Sequence, residues 1–491
     1  MPIRSFLAVV FLGLLAVANV APGAPQIAIA QNNFTPALTQ LPASVRKVLK
    51  RHKLPPGSLS VYVQDVSESA PLLTVNAQVP RNPASVMKLV TTLVSLQDLG
   101  PGYRFRTQVY ADGPVDKKGR LKGNLYLKGE GDPAMTTEAF WRLLEDLRNT
   151  GLRRISGDLI IDNSYFDVDP PARGSFDRRP YRAYNVEPQA TLVNFHATAF
   201  KLYPDPANKR VRVLADPPMA SLKITNAIKL VKNSCRRRHR KINLQVIRTG
   251  PRPEVRFSGT YPARCRPLEM LRAVADPTPY IFGVFKSLWQ RSGGSIQGRG
   301  HDGVVPEQAR LLYTTHSRPL AEIIRTINKF SNNVMARNLL LSLGARAFEP
   351  PGTLEKGRRA VQDWMLAHQI GANALQVENG AGLSRDARIS ALSLARLLLV
   401  GWDSEFMPEF AASLPLAAID GTLRKRFRQS DLEGHTHMKT GLLNGARAIA
   451  GYLQTRSGRR LVVVALQNYP GVQNGGGTAV QDALLNWLFE Q

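Results

Sequence analysis

The chain has little cysteine, a shortage of acid and, past its first thirty residues, no long apolar run. Two cysteines in 491 residues, Cys235 and Cys265, exclude a disulfide-dense miniature scaffold and a cysteine-built zinc framework. Histidine offers no substitute. His435 and His437 alternate just before a lysine, with no third ligand in reach, so neither a metal nor a cofactor is expected. The glycine-rich "SGGSIQGRG" (Ser292 to Gly300) joins no strand to a phosphate-binding helix, which argues against a nucleotide site. Sequence repeats and low-complexity tracts are absent, so a solenoid is excluded. A composition of 43% hydrophobic and 21% charged residues fits a globular protein of two or three domains.

Acidic residues number 37 against 65 lysines and arginines, a net charge of +28. The excess concentrates between Lys201 and Pro267, which hold 17 basic residues, including "RRRHRK" (Arg236 to Lys241). No nucleic-acid fold motif accompanies this run, and the N-terminus points away from nucleic acid altogether. Arg4 precedes the apolar "FLAVVFLGLLAVANVA" (Phe6 to Ala21), and "AIA" stands before Gln31. Residues 1–30 therefore read as a secretory signal peptide, too short in its apolar run for a membrane anchor. Export to the periplasm or cell envelope makes an anionic envelope polymer or a membrane surface the fitting partner for the basic zone, beside the plainer reading of a solvated basic face with no specific partner. In an oxidising compartment Cys235 and Cys265 are a candidate disulfide, although spacing alone does not supply the Cα separation a bond requires.

Three textures follow one another. Residues 31–105 give a helix-like "ASVRKVLKRH" and two strands, "SLSVYVQDV" and "APLLTVNAQV". Residues 106–277 are short alternating runs broken by Gly, Pro, Asp and Asn, with one helix at "TTEAFWRLLEDLRNTG", and read as a β-rich insertion. Glu130, Asp132, Asp162 and Asp167 sit in its turns and read as turn and cap residues, not paired catalytic carboxylates. Residues 278–491 return to helical period, then close with two strands near Lys439 to Tyr469, the expected partners of the N-terminal strands. Trp289, Trp364, Trp402 and Trp487 lie in helical runs as core.

The chemistry starts at "NPASVMKLVTT", where Ser85 and Lys88 are three apart and share a helix face. Serine is a weak nucleophile until a base takes its proton. Lysine serves only if its pKa falls by about three units, through burial and a second nearby cation. Taken alone, the pair also reads as a capping serine with a solvent-facing lysine. Two further motifs alter that: Ser331-Asn332-Asn333 and Lys439-Thr440-Gly441. The order Ser-x-x-Lys, Ser-x-Asn, Lys-Thr-Gly is that of penicillin-binding proteins and class A β-lactamases. Lys439 supplies the second cation, Ser331 a proton relay to a leaving amine, and Asn333 an amide to hold substrate. Thr440 and Gly441 offer a bare strand edge to an extended peptide. The backbone N–H groups of Ser85 and Leu442 are the candidate oxyanion hole.

On these motifs the chain resembles the class C low-molecular-mass penicillin-binding proteins, the D-alanyl-D-alanine carboxypeptidase/endopeptidase family. "GEGDPAM", "ISGDLIIDNSYFD", "YNVEPQATLVNF", "ENGAGLSR" (Glu378 to Arg385) and "DGTLRKRF" (Asp420 to Phe427) resemble its signature stretches, over nearly the whole mature chain. The resemblance implies an α/β (α+β) fold: a penicillin-binding, transpeptidase-like helix-sheet-helix domain interrupted by a large, mostly β insertion of two subdomains. It implies a serine hydrolase of peptidoglycan stem peptides, acylated by β-lactams. Two positions depart from the family pattern. Leu442 stands where a serine or threonine usually helps hold the substrate's terminal carboxylate, and Arg337 stands at a usually acidic position, read as a surface change. The rival readings are a catalytically inactive wall-binding descendant and a β-lactamase, the latter marked by rapid turnover of penicillin.

Overall fold

The structure, a computed structural model, describes residues 37–169, 174–232, 234–236, 241–248, 253–371 and 375–491. The leader expected over 1–30, and residues 237–240 of the basic run, lie outside the described residues. Helix α1 (Ala43–Arg51), strands β1 (Leu59–Asp65) and β2 (Pro71–Val75) and helix α2 (Lys88–Leu99) open a helical lobe. An insertion follows, beginning with β3 (Arg106–Ala111), β4 (Arg120–Leu121), β5 (Leu125–Gly129), α3 (Thr137–Asn149), β6 (Arg154–Ile155) and β7 (Leu159–Asp162). It continues with β8 (Thr198–Asp205), β9 (Arg210–Asp216), β10 (Lys223–Val231), β11 (Ile242–Ile247), β12 (Glu254–Pro262) and β13 (Leu268–Arg272). Helix α4 (Pro277–Arg291) and strands β14 (Ser295–Ile296), β15 (Gly300–Asp302) and β16 (Arg310–His316) complete it. The lobe resumes with α5 (Leu320–Phe330), α6 (Asn333–Phe348), α7 (Leu354–Ala367), α8 (Ala391–Asp403) and α9 (Met407–Ser413). It ends with β17 (Thr436–Leu443), β18 (Ala446–Gln454), β19 (Arg460–Asn468) and α10 (Gly476–Phe489).

The lobe is built on one antiparallel sheet in the order β17-β18-β19-β1-β2, so the C-terminal strands do pair with the N-terminal ones. Successive side chains in a strand point to opposite faces. Tyr62, Val462, Val464 and Leu466 accordingly meet one core with α2, α5, α6 and α8, while Val61, Val63, Val463 and Ala465 meet another with α1 and α10. Apolar residues on both faces of the central strands thus dictate helix-sheet-helix layering. Helix α2 is buried from Lys88 to Leu96, and its hydroxyls survive burial by bonding back one turn: Thr92 Oγ1 to Lys88 O and Ser95 Oγ to Thr91 O, both 2.7 Å.

The insertion has two bodies. In the first, sheets β15-β7-β5-β3-β16 and β14-β6-β4 pack with α3 and α4 around Phe140, Tyr280, Phe285 and Trp289. In the second, sheets β13-β8-β9 and β10-β12-β11 enclose Phe200, Phe257 and Tyr261. Cys235 and Cys265 are bonded there, with Cα atoms 5.6 Å apart. By strand pairing the insertion runs past the expected limit at residue 277. β16 pairs with β3, Arg106 opposite His316, and the helical period that resumes at Pro277 belongs to α4, whose apolar face packs into the insertion's own core.

Three of the four acidic residues have partners in the fold. Asp132 accepts from Ala134 N–H, Asp162 from Ser164 and Val305 N–H, and Glu130 pairs with Arg106. His435 precedes β17 instead of lying on it, and His437 Nδ1 is engaged by Ala411 O at 2.9 Å.

Candidate active site

Ser85 sits in the single 3-10 turn Ala84–Met87, which runs directly into α2 at Lys88. Lys88 is fully buried, so the solvent-facing alternative is wrong for this residue. Its Nζ lies 2.7 Å from Asn333 Oδ1, 2.6 Å from Ala381 O and 3.1 Å from Ser85 Oγ. A neutral amine has two N–H groups and one lone pair. The two short contacts can absorb both donors of a neutral amine, and Ser85 Oγ lies within hydrogen-bond reach of the same nitrogen. Burial above all, then the charges of Lys439 and Arg337, hold Lys88 well below the ordinary lysine value.

Helix α5 ends at Phe330 and is followed by Ser331, held in the left-handed region (φ 58, ψ 42), and Asn332 caps α6 by accepting from Met335 N–H. That tight corner delivers two groups to the site. Ser331 Oγ lies 3.0 Å from Lys439 Nζ, and Asn333, the first residue of α6, reaches Lys88. Lys439 is fully buried on β17, donates also to Thr440 O at 2.8 Å, and is lowered to about 7 by burial. Lys88 thereby holds Ser85 and Asn333, and Lys439 holds Ser331.

β17 is an edge strand. Met438 N–H donates outward to Pro415 O, so the N–H groups of Thr440 and Leu442, two and four residues on, face the same edge. Thr440 Oγ1 bonds Thr422 Oγ1 at 2.8 Å, and Leu442 is 52% exposed. Gly441 has a packing reason as well. A Cβ there would fall 2.4 Å from Pro83 O and 3.1 Å from Ala84 Cβ, so the missing side chain lets β17 lie against the serine's turn. Arg337 corrects another expectation: it is buried on α6, donates from Nη1 to Val186 O at 2.9 Å and stands 3.7 Å from Glu187.

Residues 41–491 match the D-Ala-D-Ala carboxypeptidase 3 (S13) family. The chain belongs to that family. It is 27% identical over 463 residues to the D-alanyl-D-alanine carboxypeptidase of Actinomadura sp. (strain R39), covering 92% of this chain and 85% of that one. Penicillin binding protein 4 (dacB) from Haemophilus influenzae matches in structure with a TM-score of 0.75 at 21% identity, covering 91% of this chain and 99% of that one. A second structure of that protein, complexed with a β-lactam, matches with a TM-score of 0.71. Among the described residues no helix is long and apolar enough to cross a membrane, and no group of His, Cys, Asp and Glu is arranged to hold a metal ion.

Several residues of this S13 chain that shape the site carry no chemical signal of their own in the sequence. Asn82 accepts from Ala84 N–H at 2.9 Å, donates to Ser384 O at 2.8 Å and ties the serine's turn to Asn468. Ala84 holds a positive φ of 48, the strained residue directly before Ser85. The loop 378–385 supplies Ala381 O to Lys88, and Gly382 takes a positive φ of 70 against the Ala84 carbonyl, 1.8 Å from where its Cβ would be. The stretch "ENGAGLSR" carries part of the family resemblance, but only tertiary contact assigns the parts its residues play.

Proposed function

We propose that the chain is an exported serine hydrolase that cleaves D-alanyl bonds of peptidoglycan stem peptides through an acyl-enzyme on Ser85. The carrying observation is the buried Lys88 amine, which is held by Asn333 Oδ1 and Ala381 O and lies 3.1 Å from Ser85 Oγ. Lys88 takes the hydroxyl proton as Oγ bonds to the D-alanyl carbonyl carbon, and the developing oxyanion faces the N–H groups of Ser85 and Leu442. The C–N bond then breaks as Ser331, linked to Lys439, passes a proton to the leaving amine and is restored by the proton Lys88 took, which leaves Lys88 neutral again. Water next attacks the ester, Lys88 again taking a proton, and Ser85 leaves with its own restored. A β-lactam follows the first half: its ring amide opens onto Ser85, and the amine stays tethered.

Leu442 bears on which D-alanyl bond is taken. It brings a main-chain donor but no hydroxyl for a terminal carboxylate, so cross-links are the favoured substrate over free D-Ala-D-Ala ends. Incubation with purified cross-linked and uncross-linked muropeptides, resolved by chromatography, should give monomers from dimers faster than free D-alanine from pentapeptides. Neither product would refute hydrolysis, and faster D-alanine release would refute the part given to Leu442.

The insertion adds a second contact with the wall. Lys229, Lys232, Arg236, Arg256, Arg264 and Arg266 are all exposed along β10, β12 and the disulfide-linked loops, while Glu254 is taken up by Lys223 and Arg256. We assign this face to an anionic envelope polymer. Co-sedimentation with sacculi should be strong at low salt, survive Ser85→Ala, and fail near about 1 M salt, where charges are screened beyond about 3 Å. Binding indifferent to salt would refute it. The disulfide and the N-terminal leader both support an oxidising, exported location.

A further inference from the structure

Arg337 follows Asn333 by one helical turn on α6, so the two side chains share a face, and Asn333 is the amide that holds Lys88. The arginine itself is buried and ties α6 to the insertion through Val186 O, with Glu187 beside it and its Nε without a partner. As a mere clamp this is an odd choice. One neutral donor would satisfy Val186 O, whereas a buried guanidinium carries a desolvation penalty that a carboxylate at 3.7 Å offsets only in part.

The charge has a use that Lys439 cannot fill alone. Lys439 sits near about 7, so it loses its charge around neutrality and with it its influence on Lys88. A guanidinium stays charged throughout that range. The surroundings of Lys88 are otherwise accounted for. From β17 comes Lys439 and from α6 Arg337; Glu187 of the insertion faces Arg337, and in the 378–385 loop Glu378 pairs with Arg358 while Arg385 stacks on Phe176. The Arg337 charge is among the causes that depress Lys88.

We propose that Arg337 is a positioning residue for acylation of Ser85: a buried cation of fixed charge, one turn from Asn333, that favours the neutral amine of Lys88. This rests on the reading of Lys88 as the base. The test is the rate of acylation by a fluorescent penicillin as a function of pH, in the full-length wild type and in Arg337→Gln. Below the depressed pKa the rate rises with pH as Lys88 deprotonates. In Arg337→Gln that limb should move up by about one pH unit, roughly a tenfold loss at a fixed pH on the limb. A pure clamp would alter melting temperature or the plateau rate and leave the limb in place, which overturns the proposal. If Arg337→Gln does not fold, Glu187→Gln decides. Removing the carboxylate that offsets the arginine should move the limb down, and a limb unmoved or moved up is fatal. Failure of the underlying reading looks different: the wild type would go unlabelled, or Ser85→Ala would still label.

Discussion

Ser85→Ala should abolish covalent labelling by a fluorescent penicillin and lower muropeptide hydrolysis by more than about ten-thousandfold, as removal of a nucleophile does in other acyl-transfer enzymes. The substitution removes one oxygen from a turn whose shape is set elsewhere, by Asn82, Gly382 and Gly441. Lys88 keeps Asn333 Oδ1 and Ala381 O, so its burial remains satisfied and the melting temperature should change little. Gel fluorescence for labelling and scanning calorimetry for stability separate the two effects. A labelled Ser85→Ala protein would move the nucleophile to another residue.

Lys88→Met is the second large effect. Methionine fills a similar buried volume without the amine, so Ser85 stays in place but loses the group that takes its proton. General-base catalysis contributes about a hundredfold to ten-thousandfold, and acylation should slow on that scale. The pH profile is the sharper readout. The wild-type rate should climb and then level once Lys88 is neutral, because burial and the two neighbouring cations hold its pKa well down. Lys88→Met should show no such plateau; its residual rate should keep rising with hydroxide. An unchanged rate, or a plateau at the wild-type pH, would remove Lys88 from the reaction.

Much of this site was legible because each motif compresses one local geometry into three or four residues. Ser85 and Lys88 meet because a helical start puts them on one face, and Ser331 to Asn333 form a corner because asparagine caps helices. What stayed hidden is set by approach across the fold. Gly441 reads as a bare strand edge until β17 is seen against Pro83 O. Arg337 reads as a surface residue because arginine is rarely buried, whereas in the fold it is buried and bonded to Val186 O of the insertion. The insertion's end lies elsewhere than periodicity suggests for a similar reason. Helical period marks α4 correctly as a helix, yet period says nothing about which core a helix serves, and the pairing of β16 with β3 spans the whole insertion.

That pairing has a consequence for how the lobe closes. Arg106 and His316 face each other on one rung, Ser317 N–H bonds Phe105 O, and Leu320 N–H bonds Tyr103 O. Once β3 and β16 have met, the chain leaving α2 and the chain entering α5 are neighbours, whatever the length of sequence between them. The entropy of bringing distant segments together grows with the effective loop, not with residue numbering. β1 and β19, which pair from opposite ends of the chain, then have a far shorter loop to close. In the assembly of the lobe, the long interruption behaves as a tight turn.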